Sequence, residues 1–193
     1  MRPKTIILFL ALSLLGGANL VSAASIGQAN PKTANAFLRW QITDAEVVGL
    51  AKFDVLILDV ENQVVNPQRL KKIKELHPDI ILLAYISSQE IRNDTALYNI
   101  PLRQKMFAAI PDSWYLRDEA GKKISFWPDT WMINVAGSGF DEYLPRFIDE
   151  EVLSSGLWDG IFFDNLWEDV AWLNGGNLDI NGDGRREHDQ DNE

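Results

Sequence analysis

The sequence predicts an α/β fold of the (β/α)8 TIM-barrel type, with the N-terminal half to five-eighths of the barrel present. Short apolar runs typical of strands buried on both faces predict a parallel sheet. A strand, a helix and a strand follow one another between residues 53 and 86, which indicates a right-handed βαβ crossover. The last apolar run ends in an acid, at the strand end where such barrels carry their catalytic groups.

Five runs with strand composition define the predicted strands. They are residues 36–42, 53–61, 80–86, 131–135 and 161–163. The first strand should end near Trp40, the second has a continuous apolar centre from Val55 to Leu58, and the last follows the turn signal Asp159-Gly160.

The first predicted helix lies between the second and third strands. Asn66-Pro67 supplies an N-cap followed by proline at the first helical position. Leu70, Ile73 and Leu76 then recur at helical spacing and mark one apolar face, which ends at His77-Pro78.

Further elements are predicted in the second half of the chain. Residues 102–110 and 140–154 have helical patterns, and Pro145 should move the start of the second helix to near Glu142. The stretch 114–127 has two aromatic-rich runs around a charged, glycine-containing turn, which predicts a β-hairpin.

The length sets the domain organisation. An eightfold barrel usually needs about 250 residues, whereas this sequence has 193. We therefore interpret residues 36–175 as a partial barrel and residues 176–193 as an acidic loop rich in Asp and Gly. A complete doubly wound domain is the alternative, although six acids among the last fifteen residues would be an odd way to finish one.

Residues 1–23 have the pattern of a secretory signal peptide. Arg2 and Lys4 form a positive region, an apolar core follows, and small residues provide a cleavage site. A transmembrane anchor is the alternative, but the apolar core is shorter than the ~20 residues that a spanning helix needs. Residues 24–35 are expected to form a flexible lead-in. The protein should therefore be secreted or periplasmic.

Composition excludes several classes of function. The chain has no cysteine, which excludes disulfides, thiolate catalysis and thiolate zinc sites. Its formal net charge is −10, and signal cleavage would remove two cations to leave −12. Because such a chain repels nucleic acid and anionic membranes, neither is expected as a partner once the signal is removed.

Asp164 is the strongest catalytic candidate. It ends the apolar run 161–163 and precedes Asn165. At the mouth of a barrel its carboxylate could act as a nucleophile or base, and Asn165 could bind a substrate hydroxyl. Glycoside hydrolysis typically uses two carboxyl groups, so a partner acid is required. The alternative is an aspartate that only caps the following turn.

Asp59 and Glu61 are the candidates within this chain for the partner acid or for binding sugar hydroxyls. Because they are two residues apart, they would point to the same side if the strand continued that far. Alternatively, one of them is salt-bridged and the other is solvated.

Two of the seven tryptophans are candidate platforms for sugar rings. Indole faces stack well on the C–H faces of sugars. Trp167 lies three residues after Asp164, and Trp127 lies at the end of the predicted hairpin. Each could instead belong to the core.

The acidic tail resembles a calcium-binding loop. Asp179, Asn181 and Asp183 place oxygen ligands at alternate positions, and a glycine stands at the sixth. The twelfth position, where such loops have glutamate, is Gln190. A flexible acidic loop is the alternative. No cofactor is required, and Ca²⁺ is the one candidate.

Four segments together resemble a known family. They are Val55-Leu-Ile-Leu-Asp59, Leu83-Ala-Tyr-Ile-Ser87, the hairpin with Trp114 and Ser125-Phe-Trp-Pro128, and Asp159-Gly-Ile-Phe-Phe-Asp-Asn165. The sequence resembles hypothetical glycosyl hydrolase family 15 and is similar in layout to the family 114 endo-α-1,4-polygalactosaminidases. The resemblance implies a (β/α)8 barrel, with Asp164 in the place of a catalytic carboxylate and further strands carrying the second acid.

These observations lead to two hypotheses. The first is a secreted glycoside hydrolase, truncated here, that acts on a polysaccharide; Asp164 is catalytic, and Asp59, Tyr85 and Asn165 bind hydroxyls. The second is a non-catalytic domain that binds carbohydrate or is organised by calcium.

Overall fold

The computed structural model describes residues 32–93 and 99–186. Its helices and strands are β1 (Ala34–Phe37), α1 (Asp44–Leu50), β2 (Val55–Asp59), α2 (Asn62–Val65), α3 (Pro67–Leu76), β3 (Ile81–Ser87), β4 (Glu90–Arg92), α4 (Pro101–Ala109), β5 (Thr130–Met132), α5 (Val135–Ser138), α6 (Phe140–Phe147) and β6 (Gly160–Asp164). The predicted signal peptide, 1–23, lies outside the described residues. The first strand begins two residues before its predicted start and ends at Phe37, so Trp40 lies beyond it.

Four strands form a parallel sheet in the order β1-β2-β3-β6. Asp59 lies opposite Tyr85 on the neighbouring strand, and Ser87 lies opposite Asp164. Because the strands are parallel, their carboxyl ends meet at one edge of the sheet. The α/β class with a parallel sheet is confirmed, whereas closure into a (β/α)8 barrel remains a prediction.

One face of the sheet carries the main core. Leu56 and Leu58 of β2 and Leu82 and Ala84 of β3 are completely buried, and the residues between them along each strand are only partly buried. In the described sheet, β2 and β3 are therefore completely buried on one face and only partly buried on the other, whereas burial on both faces was predicted. This alternation follows from the pleat, which sends successive side chains to opposite faces.

α3 covers that core face. Leu70 and Ile73 are completely buried, whereas Leu76, predicted for the same face, is 48% exposed at the helix end. Pro67 occupies the first turn as predicted, but Asn66 does not cap the helix with its side chain. Its Nδ2 instead donates to the carbonyl of Trp40 at 2.7 Å, which ties the loop after β1 to the helix.

The prediction that the fourth run, 131–135, joins the parallel sheet is wrong. This run forms β5, which pairs antiparallel with β4 in a separate two-stranded sheet. The backbone N–H of Met132 donates to Ile124 of the hairpin, and that of Leu116 donates to Met132, both at 2.9 Å. Because the predicted hairpin does form, it supplies antiparallel partners to this run and keeps it out of the parallel sheet.

The predicted helix 140–154 is interrupted. α6 begins at Phe140, two residues before the predicted start at Glu142, and includes Pro145. A π-helical turn, Ile148–Val152, and a 3₁₀ turn, Leu153–Ser155, continue it. Proline cannot donate to the preceding turn, so a helix tends to change its geometry around it. Within the described residues, no helix is long and apolar enough to cross a membrane.

Substitutions of two leucines in α3 test how much the core face contributes to the free energy of unfolding. Leu70→Ala should lower the free energy of unfolding by about 2–5 kcal/mol, because it leaves a cavity in the core. Leu76→Ala, the same substitution at an exposed position on the same helix, should lower it by about 0.5 kcal/mol or less. Urea denaturation measures both values. Equal losses would contradict the observed packing.

Candidate active site

Five of the predicted site residues line one cavity at the carboxyl edge of the sheet. The cavity has a volume of about 710 Å³, and its wall includes Asp59, Glu61, Tyr85, Trp127 and Asp164. Asp59 and Asp164 are the last residues of β2 and β6. This edge is where open and closed α/β folds bind ligands, and the volume suits a small-molecule or sugar site.

Tyr85 orients the carboxylate of Asp164. Its hydroxyl donates to Oδ2 of Asp164, and its ring stacks on Phe162 with centroids 6.1 Å apart. Burial, followed by the hydrogen bond to Asp164, raises the pKa of Tyr85, so the hydroxyl remains a proton donor. The backbone carbonyl of Asp164 also accepts hydrogen bonds from N and Oγ of Ser88, both at 2.9 Å.

Asp59 lines the cavity, and its environment alters the pKa of its carboxyl group. Within residues 32–93 and 99–186, no group donates a hydrogen bond to its half-buried carboxylate. Burial, and then the negative charge of Glu61, raises the pKa of Asp59 to about 6, against the lowering effect of Arg103 and Arg92. A carboxyl group in this state can both give and take a proton near neutral pH.

Glu61 has a different environment from Asp59. β2 ends at Asp59, so Glu61 does not extend the strand as the two-residue spacing required; it lies just before α2. Its side chain is only 2% exposed and forms an ion pair with Arg103 of α4. Of the alternatives for these two acids, Glu61 is therefore the salt-bridged one.

Glu90 is a further cavity acid, in addition to Asp59, Glu61 and Asp164, and it was not among the residues predicted from the sequence. Its Oε1 accepts a hydrogen bond from Asn165 Nδ2 at 2.9 Å, and its Oε2 accepts one from Thr130 Oγ1 at 3.2 Å. Burial raises the pKa of Glu90, and the charge of Asp164 adds to that effect. Its position three residues after β3 was the available signal, because polar residues that follow buried strands collect at this edge.

Two residues around the cavity have left-handed backbone conformations. Asn165 has φ 54°, and Asp129, which lines the cavity, has φ 61°. Asn165 does not itself line the cavity but donates to Glu90, which does. Asn and Asp tolerate this region better than other non-glycine residues, and such conformations cluster at functional sites.

The two candidate tryptophans lie in different places. Trp127 lines the cavity and is 53% exposed, so its ring can meet a ligand. Trp167 lies outside the cavity wall, packed edge-on against Phe126 at 4.9 Å and Trp172 at 5.1 Å. It adjoins the smaller core of Leu116, Ile124, Met132, Leu173 and Leu178.

The candidate calcium loop is folded around its own amides. The two carboxylate oxygens of Asp179 accept hydrogen bonds from the N–H groups of Asp183 and Gly184, both at 3.0 Å, and Asn181 Oδ1 also accepts from Asp183 at 2.9 Å. In the part of the chain that the structure describes, no three acidic or histidine side chains are grouped to hold a metal. Gln190 lies outside that part. Calcium binding there remains a prediction.

The model of hypothetical glycosyl hydrolase family 15 matches residues 74–193, which is more than half of the chain. This chain belongs to that family. Of the cavity residues, Tyr85, Glu90 and Asp164 fall inside the matched range, while Asp59 and Glu61 precede it. No curated protein matches the sequence.

Solved structures of two carbohydrate-active proteins are distantly similar to the family 15 chain. The glycoside hydrolase domain of PelA from Pseudomonas aeruginosa has 16% identity and a TM-score of 0.48, with 70% of this chain and 45% of that chain covered. The noncanonic maltogenic α-amylase AmyB from Thermotoga neapolitana has 13% identity and a TM-score of 0.47, with 72% and 40% covered. The family 15 chain thus spans less than half the length of either.

The raised pKa of Asp59 predicts a pH-dependent stability. The protonated form is favoured in the fold, so this contribution is complete below the ordinary value of 3.8 and is lost as pH rises through about 6. Asp59→Asn should therefore raise the free energy of unfolding by about 1–2 kcal/mol at pH 7.5, allowing for solvent screening, and change it little at pH 4. Urea denaturation at both pH values measures this difference.

The exposed acid Glu168 supplies the control for that measurement. Glu168→Gln removes an exposed carboxyl group outside the cavity and reports the general effect of an acid-to-amide change. A gain from Asp59→Asn that is the same at pH 4 and pH 7.5 would contradict the raised pKa.

Proposed function

We propose that this chain is a secreted glycoside hydrolase that acts on a polysaccharide, with Asp164 as nucleophile or general base. The observation that carries the proposal is the Asp164 carboxylate, oriented by Tyr85 at the end of a parallel strand and facing a cavity. Membership of a family of glycosyl hydrolases supports the reaction class.

The cavity residues divide the work of such a reaction. The exposed face of Trp127 would stack on a sugar ring and place its anomeric carbon over Asp164. Asp164 would then either attack that carbon or remove a proton from an attacking water, while a second carboxyl group protonates the leaving oxygen. Tyr85 holds the Asp164 carboxylate still throughout, because its own hydroxyl keeps its proton.

We further propose that the described sheet is the first half of a (β/α)8 barrel and that the gene encodes the remaining strands. Four parallel strands with a cavity at their carboxyl edge support this.

The DNA sequence beyond codon 193 tests the barrel directly. We expect an open reading frame that continues for roughly another hundred residues, as a barrel of about 250 residues requires, with further buried strands. A stop codon at that point would contradict the proposed barrel.

A non-catalytic carbohydrate-binding domain is the second candidate. Phe126, Trp127, Trp167 and Trp172 form a continuous aromatic cluster beside the cavity, and Trp127 and Trp172 are about half exposed. Such a surface binds sugars whether or not they are cleaved.

Asp164→Asn separates these candidates. In the longest polypeptide that the locus encodes, wild type is assayed for released reducing ends on neutral, uronic-acid and amino-sugar polysaccharides. The variant should lose at least about 10²–10⁴-fold in kcat while binding to the same polysaccharide survives. Glu168→Gln, four residues away and exposed, is the matched control and should keep wild-type turnover.

Each other outcome has a definite meaning. Full turnover by Asp164→Asn would remove Asp164 from the reaction. Binding by wild type without any released reducing ends would favour the binding domain.

A further inference from the structure

We propose that Asp59 is the proton-donating carboxyl group that works with Asp164, so that this chain itself holds both acids of the reaction. The inference rests on the proposed hydrolase function. Of the two roles that the sequence leaves open for Asp59, partner acid or hydroxyl binding, Asp59 takes the first, and no acid on a later strand is needed as the source of the proton.

The two acids lie on the strands on either side of β3, with Asp59 at the level of Tyr85 and Asp164 at the level of Ser87, two residues further along. Asp59 lies directly opposite Tyr85 on β2, and Asp164 on β6 accepts the hydrogen bond from the Tyr85 hydroxyl. Both carboxylates line the same cavity. A ligand bound over Tyr85 would therefore have one acid on each side.

Among the cavity acids, Asp59 and Asp129 are the two whose carboxylates accept no hydrogen bond in the described part of the chain, and Asp59 is half-buried whereas Asp129 is exposed. Glu61 is ion-paired with Arg103, and Glu90 accepts a hydrogen bond on each of its two oxygens. Asp164 accepts from Tyr85. The Asp59 carboxylate accepts no hydrogen bond from residues 32–93 or 99–186, so it is free to donate its proton to a bound ligand.

Burial, with the charges around it, raises the pKa of Asp59 so that part of it is protonated near neutral pH. Burial and the adjacent Glu61 carboxylate raise its pKa to about 6, while Arg103 on α4 and Arg92 on β4 oppose the rise. Tyr85 stays uncharged, and Asp164 lies beyond it on β6. An acid with these properties matches the requirement for a general acid working at mild pH.

The two acids are separated both across and along the sheet. β2 and β6 lie on opposite sides of β3, so two inter-strand spacings of about 4.8 Å lie between them. Asp59 is opposite Tyr85 and Asp164 is opposite Ser87, so Asp164 also lies two residues further along, about 6.6 Å. This separation leaves room for a water molecule beside Asp164, as a mechanism with a water nucleophile requires.

Hydrolysis by these two acids needs water as its only other reactant. Asp59 gives its proton to the glycosidic oxygen as the bond from that oxygen to the anomeric carbon breaks, and the bonding electrons leave with the oxygen. Water attacks the same carbon from the opposite face and loses a proton to Asp164. Two hydroxyl-terminated sugars result, and solvent returns the proton from Asp164 to Asp59.

Leaving-group dependence tests the assignment. Asp59→Asn and Glu90→Gln are compared with wild type, in the longest encoded polypeptide, on the panel polysaccharide that wild type hydrolyses and on the 4-nitrophenyl glycoside of the same sugar. Asp59→Asn should lose about 10²–10⁴-fold in kcat/KM on the polysaccharide. It should lose far less on the aryl glycoside, because 4-nitrophenolate departs without a proton. It should also lose the fall in activity above pH 6, which Glu90→Gln should keep.

Three results would overturn the proposal, and they are distinguishable. Equal losses by Asp59→Asn on both substrates with the wild-type pH profile would mean a structural role. Activity that depends on Asp164 but survives Asp59→Asn would leave the hydrolase intact and place the acid elsewhere. Wild type inactive on every polysaccharide would overturn the hydrolase as well. If Asp59→Asn does not fold, carbon-13 NMR of the wild-type carboxyl signals decides, and titration of Asp59 near 3.8 would be the contrary result.

Discussion

Parallel pairing of β2, β3 and β6 is the constraint on which the site depends. Asp59, Tyr85 and Asp164 are far apart in the chain, and only a common strand direction with this register brings them to one edge. The apolar side chains of the same strands, such as Leu56 and Leu82, stabilise this arrangement by filling the core on one face of the sheet. The positions of the cavity residues at the carboxyl edge therefore depend on the packing of that core.

A second constraint is the buried charge of Glu61. A carboxylate that is 2% exposed is strongly destabilising unless it is paired, and Arg103 of α4 supplies the pair. This contact fixes α4 against the end of β2. The same pair acts on the pKa of Asp59, which is raised first by burial: Glu61 adds to the rise and Arg103 opposes it.

The sequence predicted the parallel strands because their apolar runs are short, continuous and bounded by turn signals. It placed Asp59 and Asp164 near strand ends, and the structure brings them together with Tyr85 into one cavity. It failed where tertiary pairing decides the outcome. The run that became β5 has ordinary strand composition, and only the nearby hairpin made it antiparallel.

The sequence also could not predict the surroundings of individual side chains. The spacing of Asp59 and Glu61 suggested equivalent positions, but the end of β2 between them gave one an open cavity and the other an ion pair. Glu90 gave little signal because its strand has only three residues. Trp167 follows Asp164 closely in the chain, yet the aromatic cluster draws it away from the cavity.

The position of β6 in the sheet has a consequence for handling the protein. Among the described residues it pairs on one side only, with β3, and its Phe162 and Phe163 are each more than a third exposed. Leu166, just beyond, is 71% exposed. An unpaired edge with apolar side chains is a template for adding strands from other molecules. Preparations of this 193-residue chain should accordingly self-associate as concentration rises, beginning at this edge.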